Sequence, residues 1–101
     1  MDNFSVFGTL LPVTLIAFDA TMIDGSAHLT FSTAGERNNA YYEIERSTDG
    51  SRFQTIGRVA GAVNTHYTSE YSFEDKHPLN GTNYYRLKQT DLDGRFAYSP
   101  V

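Results

Sequence analysis

Residues 24–31 read DGSAHLTF, and this stretch decides the fold class. Its Asp-Gly pair is the strongest short-range signal of a β-hairpin, because a type I′ turn requires positive φ at both central residues. After the turn, the apolar residues Ala27, Leu29 and Phe31 alternate with polar ones. An alternation with a period of two is typical of a strand with one buried face. The stretch therefore predicts a tight turn followed by a half-buried strand.

The same pattern recurs along the 101 residues. Further Asp-Gly pairs stand at residues 49–50 and 93–94, each between alternating runs. With a short strand at residues 71–73 and another at residues 83–90, this predicts about seven strands at spacings of roughly 8–12 residues. No segment shows a convincing helical period. The expected fold is all-β, an antiparallel β-sandwich of about seven strands, and the length predicts one domain.

Several segments are less regular than these strands. Residues 1–11 are predicted to be a linker or the tail of a preceding domain, and the sandwich to occupy residues 12–101. In the first strand the apolar side chains change face near Leu15, which predicts a bulge or a bend. Residues 33–39 have loop composition. Residues 60–70, rich in Gly, Asn, Thr and Ser, are predicted to form a long loop or an irregular edge strand.

Composition argues against several classes of function. The net charge is −4 and the 8 Lys and Arg residues are scattered, whereas nucleic acids and anionic membranes require clustered basic residues. No apolar run approaches the length of about 18 residues that a transmembrane helix needs. The chain has no cysteine, which excludes disulfides and thiolate metal sites. We expect no nucleic-acid partner and no membrane insertion.

The alternation also assigns a hydrophobic core. Each predicted core residue lies on the apolar side of its strand or caps a strand. The set is Leu29, Phe31, Tyr42, Ile44, Phe53, Ile56, Tyr71, Phe73, Leu87 and Tyr98.

One of Tyr84 and Tyr85 is expected to form a tyrosine corner, with its hydroxyl bonded to the backbone near residues 79–81. Spacing from the preceding turn favours Tyr84, whereas alternation with Leu87 places Tyr85 inside. We take alternation as the guide to burial, because a one-residue slip would turn Arg86 inward.

Four charged residues are expected to set the pairing of two strands. Glu43 and Glu45 lie on the outward side of one strand, and Arg86 and Lys88 on the outward side of another. If the strands are adjacent and antiparallel, the opposite charges face each other. Exposed pairs of this kind stabilise by only about 0.2–1 kcal/mol, so their effect is on register.

Clustered oxygen ligands near the last turn raise the possibility of calcium. Asp91 and Asp93 lie two residues apart, and Asp75 is a third candidate. The run does not continue to the downstream glutamate of an EF-hand, and a hairpin turn with Asp side chains bonded to local backbone N–H groups is the preferred interpretation. The three histidines, His28, His66 and His77, have no metal-binding spacing and are expected to be solvated.

Motifs for catalysis are equally weak. There is no Gly-x-Ser-x-Gly elbow, and the carboxylates Glu36, Glu43, Glu45 and Glu70 form no recognisable acid–base pair. We therefore predict no catalytic, cofactor-binding or metal-binding residues, no cofactor, and a protein that is not an enzyme.

Outward tyrosines suggest an alternative function. Tyr41 and either Tyr84 or Tyr85 must point away from the core, and a flat row of rings can stack on sugars. The alternative is a carbohydrate-binding module that uses these surface tyrosines. The competing interpretation is ordinary strand surface, where tyrosine is favoured by its β propensity.

Three longer motifs resemble a known family. They are LPVTL at residues 11–15, NNAYYEIERSTDG at residues 38–50 and YYRLKQTDLDG at residues 84–94. Together they resemble the fibronectin type III-like domain of secreted and surface proteins of Bacteroidetes, which commonly precedes a type IX secretion sorting segment. The resemblance covers residues 11–101. One departure is Phe31, which stands where fibronectin-like domains usually carry a core tryptophan.

The resemblance implies a fibronectin type III or immunoglobulin-like sandwich with no chemistry of its own. It implies an accessory or spacer module of a secreted or cell-surface protein, whose partners are the neighbouring domains of a longer chain. We expect a monomer. The quoted motifs include no sorting segment, so secretion is implied by the resemblance only.

Overall fold

The computed structural model describes residues 4–6 and 10–101, and every regular element in that part of the chain is a β-strand. The strands are β1 (Phe4–Val6), β2 (Leu10–Ile23), β3 (Ser26–Ser47), β4 (Gln54–Thr65), β5 (Ser69–Asp75), β6 (Tyr84–Asp91) and β7 (Phe96–Tyr98). All their pairings are antiparallel. The described residues include no helix that could cross a membrane. The predicted all-β fold is confirmed.

Strand β3 belongs to both layers of the fold. Residues 27–33 of β3 lie between β2 and β5, whereas residues 39–46 lie between β4 and β6. Strand β7 pairs with the other side of β6. One layer therefore has the order β1-β2-β3-β5, and the other has the order β4-β3-β6-β7. The two layers form an antiparallel sandwich of the fibronectin type III and immunoglobulin-like type, with the core between their inner faces.

The predicted loop at residues 33–39 is wrong, because these residues continue β3 from one layer into the other. The pairing register shifts on both sides of Asn39. Asn38 has a positive φ of 52°, a conformation that asparagine adopts more readily than most residues. The turn-like composition therefore marks a bend within a strand rather than a loop between two strands.

The three Asp-Gly pairs form different turns. Asp24 and Gly25 have φ of 51° and 82° and join Ile23 to Ser26, so the predicted two-residue hairpin is confirmed. At residues 48–53 the connection is longer, because the Asp49 carboxylate accepts hydrogen bonds from the backbone N–H groups of residues 51 and 52. These bonds lower the pKa of Asp49 to about 2. The last turn spans residues 92–95.

Other irregularities follow the sequence more closely. The register of β2 against β3 shifts on both sides of Leu15, which confirms the bulge predicted there. Residues 54–65 form the irregular strand β4 at the edge of its layer, so the edge-strand interpretation of residues 60–70 is correct as far as Thr65. The linker predicted for residues 1–11 falls largely outside the described residues and stays a prediction, although β1 pairs with β2.

The core agrees with the predicted set at most positions. Leu29, Phe31, Tyr42, Ile44 and Leu87 are buried, and Ile56, Tyr71 and Phe73 pack partly buried against them. The remaining buried apolar side chains among those described are Leu15, Ala27, Tyr85 and Ala97.

Two of the predicted core residues do not lie in the core. Tyr98 is 43% exposed, because Ala97 is the inward residue of the three-residue strand β7. Phe53 is only half-buried and lies against the guanidinium of Arg86. Phe53 was predicted to begin a strand that in fact begins at Gln54, and Tyr98 lies in a strand of three residues, in which one position decides the face.

Strands β3 and β6 pair in the predicted register. Glu43 lies opposite Lys88 and Glu45 opposite Arg86. The Arg86 Nε donates to the Glu45 carboxylate at 2.7 Å. Glu45 is nevertheless only 7% exposed, so this pair is more enclosed than the solvated pair that the sequence predicts.

Candidate functional site

The candidate calcium ligands do not come together. Asp75 ends β5 and is buried, whereas Asp91 ends β6 opposite Asn39. Asp75 contacts Arg46, seven residues along β3 from Asn39, which corresponds to about 20 Å of extended strand. Asp93 accepts a hydrogen bond from the backbone N–H of Arg95 in the last turn. Within residues 4–6 and 10–101, no group of three or more His, Asp or Glu side chains could hold a metal ion.

The histidines are also dispersed. His28 lies on the outer face of its layer, with its Nε2 3.8 Å from the Glu74 carboxylate. His66 and His77 lie between strands and are exposed. The backbone carbonyl of His77 accepts a hydrogen bond from Arg46, so His77 binds this arginine through its backbone and not through its imidazole.

The three candidate tyrosines have three different environments. The Tyr41 ring lies under the guanidinium of Arg58, at 3.9 Å from the ring centroid. Tyr84 is 38% exposed on the same outer face, opposite Ser47. Ser47 is six residues from Tyr41 along β3, so the half-buried Tyr41 ring and the exposed Tyr84 ring are separated by about 20 Å. Tyr85 is buried and points inward. The tyrosines therefore form no common platform.

The outer face of the β4-β3-β6-β7 layer carries alternating cations and aromatic rings, and we call it the cation–aromatic face. Its members are Tyr41, Glu43, Glu45, Phe53, Arg58, Arg86, Lys88, Phe96 and Tyr98. The Arg86 guanidinium lies between the rings of Tyr98 and Phe53, at 3.9 and 4.1 Å from their centroids. Lys88 lies over Phe96 at 4.3 Å. Each such contact contributes about 0.5–1 kcal/mol when exposed, so the face is largely engaged with itself.

A buried polar cluster surrounds Glu36, where β3 passes between the layers. The Glu36 side chain accepts hydrogen bonds from the Thr33 hydroxyl (3.0 Å), the Asn39 amide (2.6 Å), the backbone N–H of Ala62 (2.9 Å) and the Tyr71 hydroxyl. Glu36 is 4% exposed. Its donors come from β3, β4 and β5, so one carboxylate connects strands of both layers.

The electrostatics of the Glu36 cluster follow from these bonds. Burial by itself raises the pKa of Glu36, but the four donors outweigh it and leave the pKa below its usual value. Burial and the bonded carboxylate raise the pKa of Tyr71 to about 12. Burial and the nearby Glu36 charge also raise the pKa of Tyr42. The cluster therefore holds one anion among neutral hydroxyl groups.

Two further side chains extend the Glu36 cluster to β6. The Gln89 amide donates to Asn39 at 2.9 Å and to Asp91 at 2.7 Å. Asn39 approaches β4 closely at Gly61, where a Cβ atom would collide with its side chain. A glycine at residue 61 is therefore required by packing.

A second buried cluster joins the layers at the other end of the sandwich. The Arg46 Nη1 donates to both oxygens of Asp75, at 3.1 and 3.0 Å. The Tyr85 hydroxyl donates to the same carboxylate at 2.8 Å. Burial raises the pKa of Asp75, but Tyr85 and Arg46 outweigh it and leave the pKa below its usual value. The predicted tyrosine corner is thus correct for the burial of Tyr85 and wrong for its acceptor, which is a carboxylate rather than the backbone near residues 79–81.

The sequence contained one overlooked signal for this cluster. Arg46 has the same parity as Tyr42 and Ile44, so a charged side chain lay on the core side of its strand. A buried charge requires a partner of opposite charge. For Glu36 no comparable signal exists, because the bend at Asn38 interrupts the alternation around it.

The hydroxyl of Tyr85 is expected to contribute measurably to stability. Tyr85→Phe removes a donor to a charged, buried acceptor and should lower the free energy of unfolding by about 1.5–3 kcal/mol. Tyr84→Phe is the matched control and should change it by less than about 0.5 kcal/mol, because Tyr84 is exposed. Urea unfolding of both variants measures the difference. Equal changes in the two variants would show that the hydrogen bond from Tyr85 to Asp75 makes no net contribution to the free energy of unfolding.

Comparisons with known proteins give no relative. No protein-family model matches the chain, and no curated protein or solved structure matches it. The functional assignment therefore depends on the residues themselves.

Proposed function

We propose that this chain is a non-catalytic accessory or spacer module of a secreted or cell-surface protein. The module folds around its own core and presents its neighbours with a rigid sandwich. Its partners are the adjoining domains of a longer chain. The resemblance to the fibronectin type III-like domains of Bacteroidetes supports the location outside the cell.

One observation carries the proposal: the buried carboxylates are occupied by structural bonds. Glu36 accepts four hydrogen bonds from three strands, and Asp75 accepts bonds from Arg46, Tyr85 and the backbone N–H of His77. A carboxylate that acts as a general base needs a lone pair directed at a substrate. Here the lone pairs accept hydrogen bonds that connect the two layers, which suits a module that serves as a spacer.

The outward charges support the same proposal. Arg86 pairs with Glu45, and Arg58 lies 3.6 Å from Glu43. Charges that neutralise each other on a surface attract neither anionic nor cationic ligands strongly. Such a face keeps a module soluble beside its neighbours.

A carbohydrate-binding module is the second candidate, and one observation favours it. Phe96 and Tyr98 are 44% and 43% exposed and lie side by side on β7, with centroids 5.6 Å apart. Their planes are inclined at 72°, so they do not form a flat platform. Each ring also carries a cation over it, which competes with a stacked sugar.

Ligand-dependent stability distinguishes the two functions. A ligand that binds only the folded state raises the melting temperature by mass action. For a spacer, millimolar calcium, a chelator and a panel of oligosaccharides should each leave the melting temperature unchanged, and a glycan array should return no hit. A saccharide bound with micromolar affinity, lost in Tyr98→Ala but kept in Tyr84→Ala, would replace the spacer by the binding module.

A further inference from the structure

Strand β2 has an open edge in this structure. One hydrogen-bonding edge of β2 pairs with β3 from Ala17 to Ile23. The other edge, here called the outer edge, pairs with β1 only at Leu10 and Val13. Among residues 4–6 and 10–101, no strand pairs with the outer edge of β2 between residues 15 and 23. A row of backbone N–H and C=O groups at such an edge is a template for another strand.

The space beside this edge is a groove. One part, of about 450 Å³, lies between β2, residues 83–85 and the C-terminal residues Pro100 and Val101. A second part, of about 690 Å³, continues towards the Asp24-Gly25 turn, and both parts are lined by Ala20 and Tyr85. Open space therefore borders β2 from Leu15 to Met22.

The edge strand lacks the features that usually prevent pairing. Residues 15–23 read LIAFDATMI, with one charged residue, Asp19, and neither lysine nor proline. Ile16, Met22 and Ile23 are 37%, 60% and 49% exposed. Soluble proteins protect long edge strands with charges, prolines or bulges, and beyond Leu15 this edge has only Asp19.

We propose that the outer edge of β2 is a strand-pairing site for β2 of a second copy of this chain. Antiparallel pairing of the two β2 strands about a twofold axis joins the β1-β2-β3-β5 layer of one copy to the same layer of the other copy, which gives one continuous sheet. The axis passes through Ala20, so Ala20 faces its own equivalent. At low concentration the chain is the monomer that its sequence predicts.

The residues opposite each other favour this register. With Ala20 on the axis, Asp19 lies opposite Thr21 on the outer face, where the hydroxyl can donate to the carboxylate. Phe18 lies opposite Met22 on the inner face, a pairing of sulfur with an aromatic ring. Moving the axis to Asp19 would place two like charges face to face, which destabilises a cross-strand pair.

The size of the contact sets its strength. Residues 17–23 span about 20 Å, and one pair of strands buries less than the ~1,000 Å² of a stable interface. Pairing is therefore weak and depends on concentration. Modules held close together on a surface reach effective concentrations in the millimolar range, where weak pairing becomes significant.

Sedimentation equilibrium of the full chain tests the association. The wild type should show a reversible monomer–dimer equilibrium at high micromolar to millimolar concentration. Ala20→Lys places two ammonium groups at the axis and should leave only monomer. Ser72→Lys adds the same charge at an exposed position on β5, the opposite edge of the layer, and should leave dimerisation unchanged. Melting temperatures check that both variants fold.

Cysteine cross-linking tests the register, because the chain has no cysteine of its own. Directly opposite Cα atoms in an antiparallel pair are about 4.5–5.5 Å apart, within reach of a disulfide. Ala20→Cys should form a covalent dimer readily under mild oxidation. Ile23→Cys is the control, since its equivalents would be about 20 Å apart and should cross-link far more slowly. A monomer at every concentration, equal association of the two lysine variants, or equal rates for the two cysteine variants would overturn the proposal.

Discussion

Replacing Glu36 by alanine is expected to lower the free energy of unfolding by about 3–5 kcal/mol. The change removes the acceptor for four hydrogen-bond donors, among them the Asn39 amide and the Tyr71 hydroxyl. Each buried donor left without a partner costs about 1–3 kcal/mol. It also removes a side chain that bonds to three strands at the crossing of β3. Urea unfolding monitored by tyrosine fluorescence measures the loss.

Glu70→Ala is the matched control for this prediction. Glu70 is an exposed carboxylate on β5, and its removal should change the stability by less than about 0.5 kcal/mol. Glu36→Gln keeps one acceptor and the shape of the side chain, and should cost less than Glu36→Ala. If Glu36→Ala and Glu70→Ala unfold at the same urea concentration, the cluster is not important for stability.

The lowered pKa of Glu36 adds a prediction on pH. A carboxyl with a folded-state pKa below its unfolded value of 4.5 contributes stability above about pH 4.5. That contribution is lost as the pH falls through the folded-state pKa. Asp75 acts in the same direction from its unfolded value of 3.8. Wild-type stability should therefore fall steeply below about pH 4.5, and Glu36→Gln should flatten the slope.

Phe31→Ala is expected to be as destabilising, at about 3–5 kcal/mol. Phe31 is 2% exposed and its ring lies 4.8 Å from that of Tyr42 and 4.9 Å from that of Tyr71. Truncation removes the transfer free energy of the ring and leaves a cavity between the layers. It also breaks three ring contacts, with Tyr42, Tyr71 and Phe18, each worth about 0.5–1.5 kcal/mol beyond the area that is buried.

Phe96→Ala is the matched control for the core prediction. The Phe96 ring is 44% exposed on the cation–aromatic face, and its loss should cost about 1 kcal/mol or less, from its contacts with Lys88 and Tyr98. Equal denaturation midpoints for the two variants would mean that the assigned register is wrong.

Local sequence correctly predicted several turns and strand faces. Asp24-Gly25 forms the predicted two-residue turn with both residues at positive φ, whereas the Asp-Gly pairs at residues 49–50 and 93–94 lie in longer turns in which only the glycine has positive φ. Alternation at residues 27–31 and 42–44 identified the inward residues correctly, since a slip of one position would bury every polar side chain. The same reasoning placed Glu45 opposite Arg86. In the three residues of β7 one position decides the face, and there the prediction for Tyr98 failed.

Only the tertiary structure decided which polar residues are buried and what they contact. The sequence predicted a loop at residues 33–39, but the need to cross between layers extends β3 through them and places Glu36 inside. The acceptor of Tyr85 is Asp75, ten residues earlier, which no local pattern indicates. A buried carboxylate is stable only with its donors in place, and those donors come from β3, β4 and β5. Burial of polar groups thus depends on several distant segments at once, whereas turns and strand faces depend on a few consecutive residues.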